Sequence, residues 1–380
     1  MPLQELAKEI NGSVSSRLKW QAVSSFLSRQ LAAGAYRPGD ILPSENQISK
    51  SIGVARNTVR QAFAELEKEG LIKRVRGKGT VVAPHNQKTN SQQLEMFALI
   101  MPEIRRSSYA SLVKGFDVGA NNGYHQIMIC NTDESVDKQG HIILQLLEKG
   151  VAGVAVVPTT YFQTPVQQIR YLQANGVPVV FCHRSIEGVD APFLCWEWEQ
   201  VGRIAGEKLI EYGHKQIMYF GNWKYSIPLS HVRALRQILS ENSVSLPDDR
   251  VLFGPPPTES EADIKKEKLI KTALTGENRP TAVLCSDDTE AERVFWVAHQ
   301  VGLNVPEDLS IIGFGDVHRD TMFKKLLTSV TVDELHLGKR AASLLCEMRS
   351  GDKPIENDET YYMRLQLADG STLAEVPSKP

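Results

Sequence analysis

The sequence predicts an α/β protein in two parts: a winged helix-turn-helix head, then a two-lobed α/β body built on parallel sheets. Three observations carry this expectation. Between Ser16 and Val82, three runs with helical apolar spacing precede two β-prone runs set around Gly77-Lys78-Gly79. A polar stretch almost free of apolar residues follows, from Pro84 to Gln93. Beyond it, short apolar runs alternate with helix-length segments, the pattern of parallel sheets covered on both faces. The alternation continues for too long to make one sheet of ordinary size, so two lobes with a cleft are expected. The boundaries read as 1–84 for the head, 85–95 for a flexible linker and 96–380 for the body.

In the head, Leu18, Val23, Phe26, Leu27 and Leu31 recur at helical spacing from Ser16 to about Ala33, and Gly34 ends that helix. Pro38-Gly39-Asp40 forms a turn. Ser44, three residues before Gln47, makes a capping box that starts a short second helix, which Gly53 closes. A third helix runs from about Arg56 to Glu69 with Val59, Phe63 and Leu66 on one stripe, leaving Arg56 and Arg60 on another. The last element is a hairpin, Leu71–Arg76 and Thr80–Val82, decorated by Lys73, Arg74, Arg76 and Lys78. A helix that opens with Arg56, Asn57, Thr58 and Arg60 offers donors to phosphates and base edges. Glu45 reads as a helix-start carboxylate favoured by the dipole.

Charge supports an anionic partner at this end. Residues 1–84 hold 13 Lys and Arg against 7 Asp and Glu, whereas the rest of the chain holds 30 against 38. The five cysteines, Cys130, Cys182, Cys195, Cys285 and Cys346, form no CxxC pair, which argues for buried thiols in a reducing compartment rather than disulfides or a zinc site. The start Met1-Pro-Leu-Gln-Glu-Leu lacks a signal pattern, and no run of about 18 apolar residues is present. A cytoplasmic protein without metal or cofactor is expected.

Residues 17–83 resemble the DNA-binding domain of GntR-family transcription regulators. The shared pattern runs through Pro38-Gly-Asp40, Leu42-Pro-Ser-Glu45, Gly53-Val-Ala-Arg-Asn-Thr-Val-Arg60, Glu69-Gly-Leu71 and Gly77-Lys-Gly-Thr80. The resemblance implies that Arg56, Thr58, Arg60 and Gly77 touch double-stranded operator DNA. Asn57, Ser44, Arg76 and Lys78 complete the candidate interface. One departure stands out. Ala55 occupies the place where relatives have a capping Ser, and an absent cap costs about 1 kcal/mol.

In the body, strands are expected at Phe97–Met101, His125–Cys130, Val151–Val157, Val177–Cys182, Gln216–Phe220, Ala282–Cys285 and Ser310–Gly313. Intervening helices end at Asn-Gly or Lys-Gly pairs. Ligands of such sheets sit beyond the C-terminal ends of strands. That rule nominates Tyr109, Asp133, His183, Arg184, Asn222, Trp223, Asp287 and Asp316, a set that suits a small hydroxylated ligand. Residues 96–372 also resemble LacI/GalR-type effector domains, most strongly over Gly302–Phe314, and at Glu211–Ile217, Pro280–Ala282 with Asp287-Asp288, and Gly370–Thr372. The resemblance implies a periplasmic-binding-protein-like fold, dimerisation, a sugar or related metabolite as effector, and coupling to a palindromic operator. The joined pair resembles the arabinose-type repressors of mixed architecture.

By that alignment His231 stands where the family has Arg, Gly315 replaces an Asp that is often a sugar ligand, and Asp316 lies beside it. Glu197, between Trp196 and Trp198, is the acid before the hinge helix. The candidate effector residues are therefore Tyr109, Arg184, Glu197, Trp223, His231, Asp287 and Asp316. Alternation puts both tryptophans on one face, where lobe packing competes with ligand stacking. The alternative function is an enzyme fused to the head and acting on a sugar-like substrate. No GxSxG, HExxH, P-loop or dinucleotide GxGxxG after a strand supports it.

Overall fold

The computed structural model describes residues 16–32, 35–37, 39–68, 70–83, 95–104, 109–123, 125–160, 162–256, 259–319, 321–351 and 358–376. The expected stop at Gly34, the turn residue Pro38, the side chain of Leu18 and linker residues 85–94 lie outside them. Two compact units divide between Gln93 and Leu94.

In the first unit, α1 (Ser16–Ala32), α2 (Glu45–Ile52) and α3 (Arg56–Lys68) precede the hairpin of β1 (Ile72–Val75) and β2 (Gly79–Val82). The apolar stripes meet as anticipated: Val23, Phe26, Leu27, Ile48, Ile52, Val59, Phe63 and Leu66 make one core, closed by Ile72 and Val82. The Ser44 side chain accepts from the Gln47 N–H while Gln47 Oε1 accepts from the Ser44 N–H at 2.8 Å. Gly53 ends α2 at φ 69°, where a side chain would be strained. Ala55 has no side-chain acceptor, and its carbonyl takes the Thr58 N–H at 2.9 Å. The wing turn is Arg76-Gly77-Lys78, and the strands stop at Val75 and resume at Gly79. Residues 39–42 run along β2, with Ile41 opposite Val81, so the Gly39-Asp40 segment stiffens the wing.

The second unit has two lobes. The first contains β3 (Met96–Met101), α4 (Tyr109–Asn122), β4 (Gln126–Asn131), α5 (Val136–Glu148), β5 (Gly153–Val156), α6 (Val166–Ala174), β6 (Val179–Cys182) and β7 (Phe193–Cys195). The chain then crosses to α7 (Glu199–Glu211), β8 (Ile217–Gly221), α8 (Ser226–Glu241), β9 (Val251–Phe253), α9 (Ala262–Thr275), β10 (Ala282–Cys285), α10 (Asp288–Gln300), β11 (Ser310–Asp316), α11 (Met322–Leu326) and β12 (Thr328–Val332). It returns to the first lobe for α12 (Glu334–Ser350) and β13 (Thr360–Tyr362), and crosses again to β14 (Leu365–Ala368).

The first sheet has order β13-β7-β6-β5-β3-β4, every pair parallel. The second has order β14-β12-β11-β10-β8-β9, parallel except for β14 against β12. Each sheet carries an apolar core on both faces, which is why its strands read as unbroken apolar runs. Five strands fall outside the sequence expectation: β7, β9, β12, β13 and β14. Four of them are only three or four residues long. The fifth, β12, reads Thr-Ser-Val-Thr-Val and is wholly buried, with the Ser329 and Thr331 hydroxyls donating to internal acceptors. Ser329 Oγ donates to Asp288 Oδ1 at 2.7 Å, and Thr331 Oγ1 to the Gln366 carbonyl at 3.1 Å.

Helix α12, entering right after the second crossover, is clamped to α4. A Cβ on Gly115 would lie 2.0 Å from the Leu335 carbonyl oxygen, and one on Gly338 would lie 2.2 Å from that of Leu112. The two backbones touch through paired glycines, so the element that carries the crossover is rigidly part of the first lobe. All five cysteines are free and all but Cys346 are buried; burial pushes the Cys130 and Cys195 thiols up to about 11. Among the described residues no helix is long and apolar enough to cross a membrane.

Candidate functional site

In the head, the first turn of α3 is open to solvent: Arg56, Asn57 and Arg60 are exposed and Thr58 is half-buried. Arg76, Gly77 and Lys78 are exposed at the wing tip, with Gly77 at φ 81°. Ser44 is exposed with its hydroxyl engaged in the helix cap. One residue ties these parts together. Glu45, its side chain only 16% exposed, accepts from Arg56 Nε and from Arg74 Nη2, each at 3.3 Å. Arg74 also lies 3.7 Å from Glu67 on α3. Glu45 is thus in the first turn of α2, as expected, and is also the brace between that helix, α3 and the wing. Arg74, expected among the phosphate-facing cations, is exposed and pairs with these two carboxylates in the free protein.

In the body, a cleft of about 650 Å³ opens between the lobes. Its walls come from the C-terminal ends of strands in both sheets. Tyr109, Asp133, Glu134, His183 and Arg184 face it from the first lobe, and Asn222, Trp223, Asp287, Asp288 and Asp316 from the second. Trp196 and Trp198, on the first crossover, and Glu334, after the second, line its hinge side. Asp133, Glu134 and His183 hold φ of 51°, 58° and 66°, left-handed values uncommon outside glycine. Such strain is concentrated where a fold over-determines a side chain's direction.

The polar contacts fix most of these groups. His183 Nε2 and Glu334 Oε2 are 2.9 Å apart, both residues buried, joining β6 to the start of α12. The Thr160 N–H donates to Glu134 at 2.6 Å, and Lys138 to Asp133 at 2.5 Å. Arg184 Nη2 donates to the Pro158 carbonyl at 2.5 Å. Asp287 caps α10 by accepting from the Glu290 N–H at 3.0 Å. Lys266, buried, donates to Asn222 Oδ1 at 2.5 Å and to Glu290 at 2.8 Å, leaving the Asn222 amide N–H groups as donors. Trp223 stacks on Tyr225 with ring centres 4.8 Å apart.

Two carboxyls sit deep. Burial pushes Asp288 up to about 6 against the Ser329 hydrogen bond, and burial also raises Asp316 against a hydrogen bond from Ser111. A Cβ on Gly315 would lie 2.1 Å from Asp288 Oδ2. The Asp288 carboxylate therefore occupies the space that a side chain at position 315 would take. The acid missing from the strand is supplied by the neighbouring helix start.

Residues 20–82 match the family model for bacterial regulatory proteins of the gntR family, and residues 207–372 that for the periplasmic binding protein-like domain. The arabinose metabolism transcriptional repressor of Geobacillus stearothermophilus is 26% identical over 346 residues, spanning 89% of this chain and 92% of that repressor. Catabolite control protein A of Priestia megaterium is 28% identical over 293 residues, spanning 76% and 81%. Among solved structures, transcription regulator CcpA of Lactococcus lactis has the same body fold at TM-score 0.62 and 21% identity, covering 73% of this chain and 99% of that one. The chain is a DNA-binding transcription regulator of mixed GntR and periplasmic-binding-protein-like architecture.

The regulator brings Tyr109, Arg184, Trp223, Asp287 and Asp316 to one cleft. Two other candidates are not there. Glu197 is exposed and lines an adjoining hollow with Glu199, Gln200 and Arg203, which shares His183, Arg184, Trp196, Trp198 and Ile227 with the cleft. His231 is fully buried behind the cleft wall, 5.4 Å from Phe314 and 6.5 Å from Trp198 between ring centres. Burial lowers it to about 3, so it is a neutral packing residue. Its helix presents that position to the core rather than to ligand. Sequence reasoning misses Glu134 and Glu334: Glu334 follows the unrecognised β12, so the end-of-strand rule had no strand to act on. Asp288 reads from the sequence only as a helix-start residue.

Proposed function

We propose that the regulator is a cytoplasmic repressor that acts as a homodimer. Two heads bind the half-sites of a palindrome, and a small polar metabolite of the sugar class in the cleft loosens that grip. The observation that carries this reading is the cleft itself. Its walls come from two lobes joined only by short crossovers, so a ligand touching both favours the closed arrangement. Kinship with an arabinose metabolism repressor supports a sugar-like effector and negative control. Arg56, Asn57, Thr58 and Arg60 are assigned to base edges and phosphates in the major groove, with Ser44, Arg76, Gly77 and Lys78 alongside. Tyr109, Arg184, Trp223, Asp287 and Asp316 are assigned to the effector.

The test is retardation of DNA from the regulator's own promoter region by the full chain, titrated with sugars that raise its melting temperature. A ligand that binds the body should lower DNA affinity, and DNA should lower that ligand's affinity by the same factor. DNA affinity that stays constant under every stabilising sugar would overturn the coupling.

A further inference from the structure

A second space lies against the cleft. It is a hollow of about 740 Å³, larger than the cleft of about 650 Å³. His183, Arg184, Trp196, Trp198 and Ile227 border both, so the two spaces meet along one stretch of the hinge side. Like the cleft, the hollow takes its walls from both lobes. Phe193 on β7 and Tyr362 on β13 come from the first, and Arg203 on α7 with Ser226 and Ser230 on α8 from the second.

The hollow suits a hydroxylated occupant. Its charged groups are of mixed sign, Arg184 and Arg203 with Glu197 and Glu199. Glu197 is engaged by Gln200, and Glu199 by Arg233. A hydroxyl both donates and accepts, so it can satisfy carboxylate and guanidinium alike, whereas an ion in such a wall lies against a like charge. Helix α8 starts here without a side-chain cap, which leaves its first N–H groups as donors to sugar oxygens. Tyr362 is 64% exposed, and Trp198 is half-buried where the spaces meet. Their rings offer apolar faces to the C–H face of a pyranose. A single sugar ring held in the cleft would leave this second space to water.

Resting on the reading of the cleft as the effector site, we propose that the effector is a neutral saccharide of two or more linked units, one in the cleft and the next in the hollow. The first unit meets Asn222, Trp223 and Arg184. The glycosidic link passes Trp198 and Ile227. The second unit lies between Tyr362 of the first lobe and Arg203 and the start of α8 in the second. The longer ligand thereby joins the lobes at two places, and its second unit binds at the high effective concentration that the link imposes.

Matched series on the full chain test this by calorimetric titration: D-glucose with maltose, cellobiose and cellotriose, L-arabinose with α-1,5-arabinobiose and arabinotriose, and D-xylose with xylobiose and xylotriose. In a series that binds, the second unit should lower Kd at least about tenfold. That gain should shrink at least about fivefold in Tyr362→Ala and in Arg203→Ala. Both side chains are exposed, so their removal leaves the core intact. A monosaccharide that binds as tightly as its longer partners and releases DNA overturns the proposal while leaving the effector reading in place. A gain that survives undiminished in both variants overturns it as well. Silence from every series overturns the proposal together with the reading of the cleft as a sugar site.

Discussion

At the scale of single residues, Asp288 is the most informative group. Its carboxyl is held up to about 6 by burial, above the ordinary value of 3.8. In the folded state it keeps a proton that the unfolded chain has lost, so its burial costs nothing below about pH 4 and progressively more as pH rises to about 6. Asp288→Asn lacks that cost. Relative to wild type, the variant should gain on the order of 2–3 kcal/mol between about pH 4 and pH 7, read from denaturant unfolding at each pH. A difference that stays flat across that range would mean Asp288 is ionised in the fold. In the head, Arg60→Ala should weaken operator binding by about 1–3 kcal/mol if its guanidinium pairs bidentately with a base. Arg56→Ala should cost less than that, because Glu45 already holds Arg56 Nε in the free protein. Equal losses in retardation titrations would remove Glu45 from the account.

At the scale of elements, the clamp between α4 and α12 makes a sharp prediction. Gly115→Ala forces a methyl toward the Leu335 carbonyl, and the helices must separate. A loss of about 1–3 kcal/mol in the stability of the body is expected, with the head unaffected. Wild-type melting of this variant would contradict the close approach. The cap of α2 is the milder case. Ser44→Ala removes the acceptor for the Gln47 N–H and should cost about 1 kcal/mol in the head.

Elements also show what could be read in advance. Helices of the head are legible because a 3.6-residue stripe and a capping box are local signals. Strands such as β5 and β10 are legible because both faces are buried and the run is apolar throughout. Strand β12 is not, because its Ser329 and Thr331 hydroxyls are satisfied by residues 35 or more positions away. Losing β12 also hides Glu334. The end-of-strand rule finds Asp133, His183 and Asn222, whose strands it can see, and the family alignment supplies Glu197 and His231, which face elsewhere.

At the scale of the molecule, charge is divided between a basic head and an acidic body. DNA binding should therefore fall steeply with salt, in proportion to the phosphates neutralised. A shallow log–log slope in retardation or anisotropy titrations would show that the wing cations stay off the backbone. Glu45 and Glu67 partly offset Arg74 in the free protein, so Lys73, Arg76 and Lys78 should carry most of the wing's share.

Read along the chain alone, the residues specify the two-part architecture, the helix order and cap of the head, the parallel sheets, and the strand ends from which the cleft is built. These rest on periodicity and on short-range patterns that each segment satisfies without its neighbours. Three-dimensional packing was needed to show which acids face the cleft, that Asp288 fills the room left at Gly315, that His231 is a core residue, and that Glu45 joins three elements. Those outcomes depend on which groups meet across lobes and sheets, where desolvation and unfilled space are set by neighbours far away in the chain.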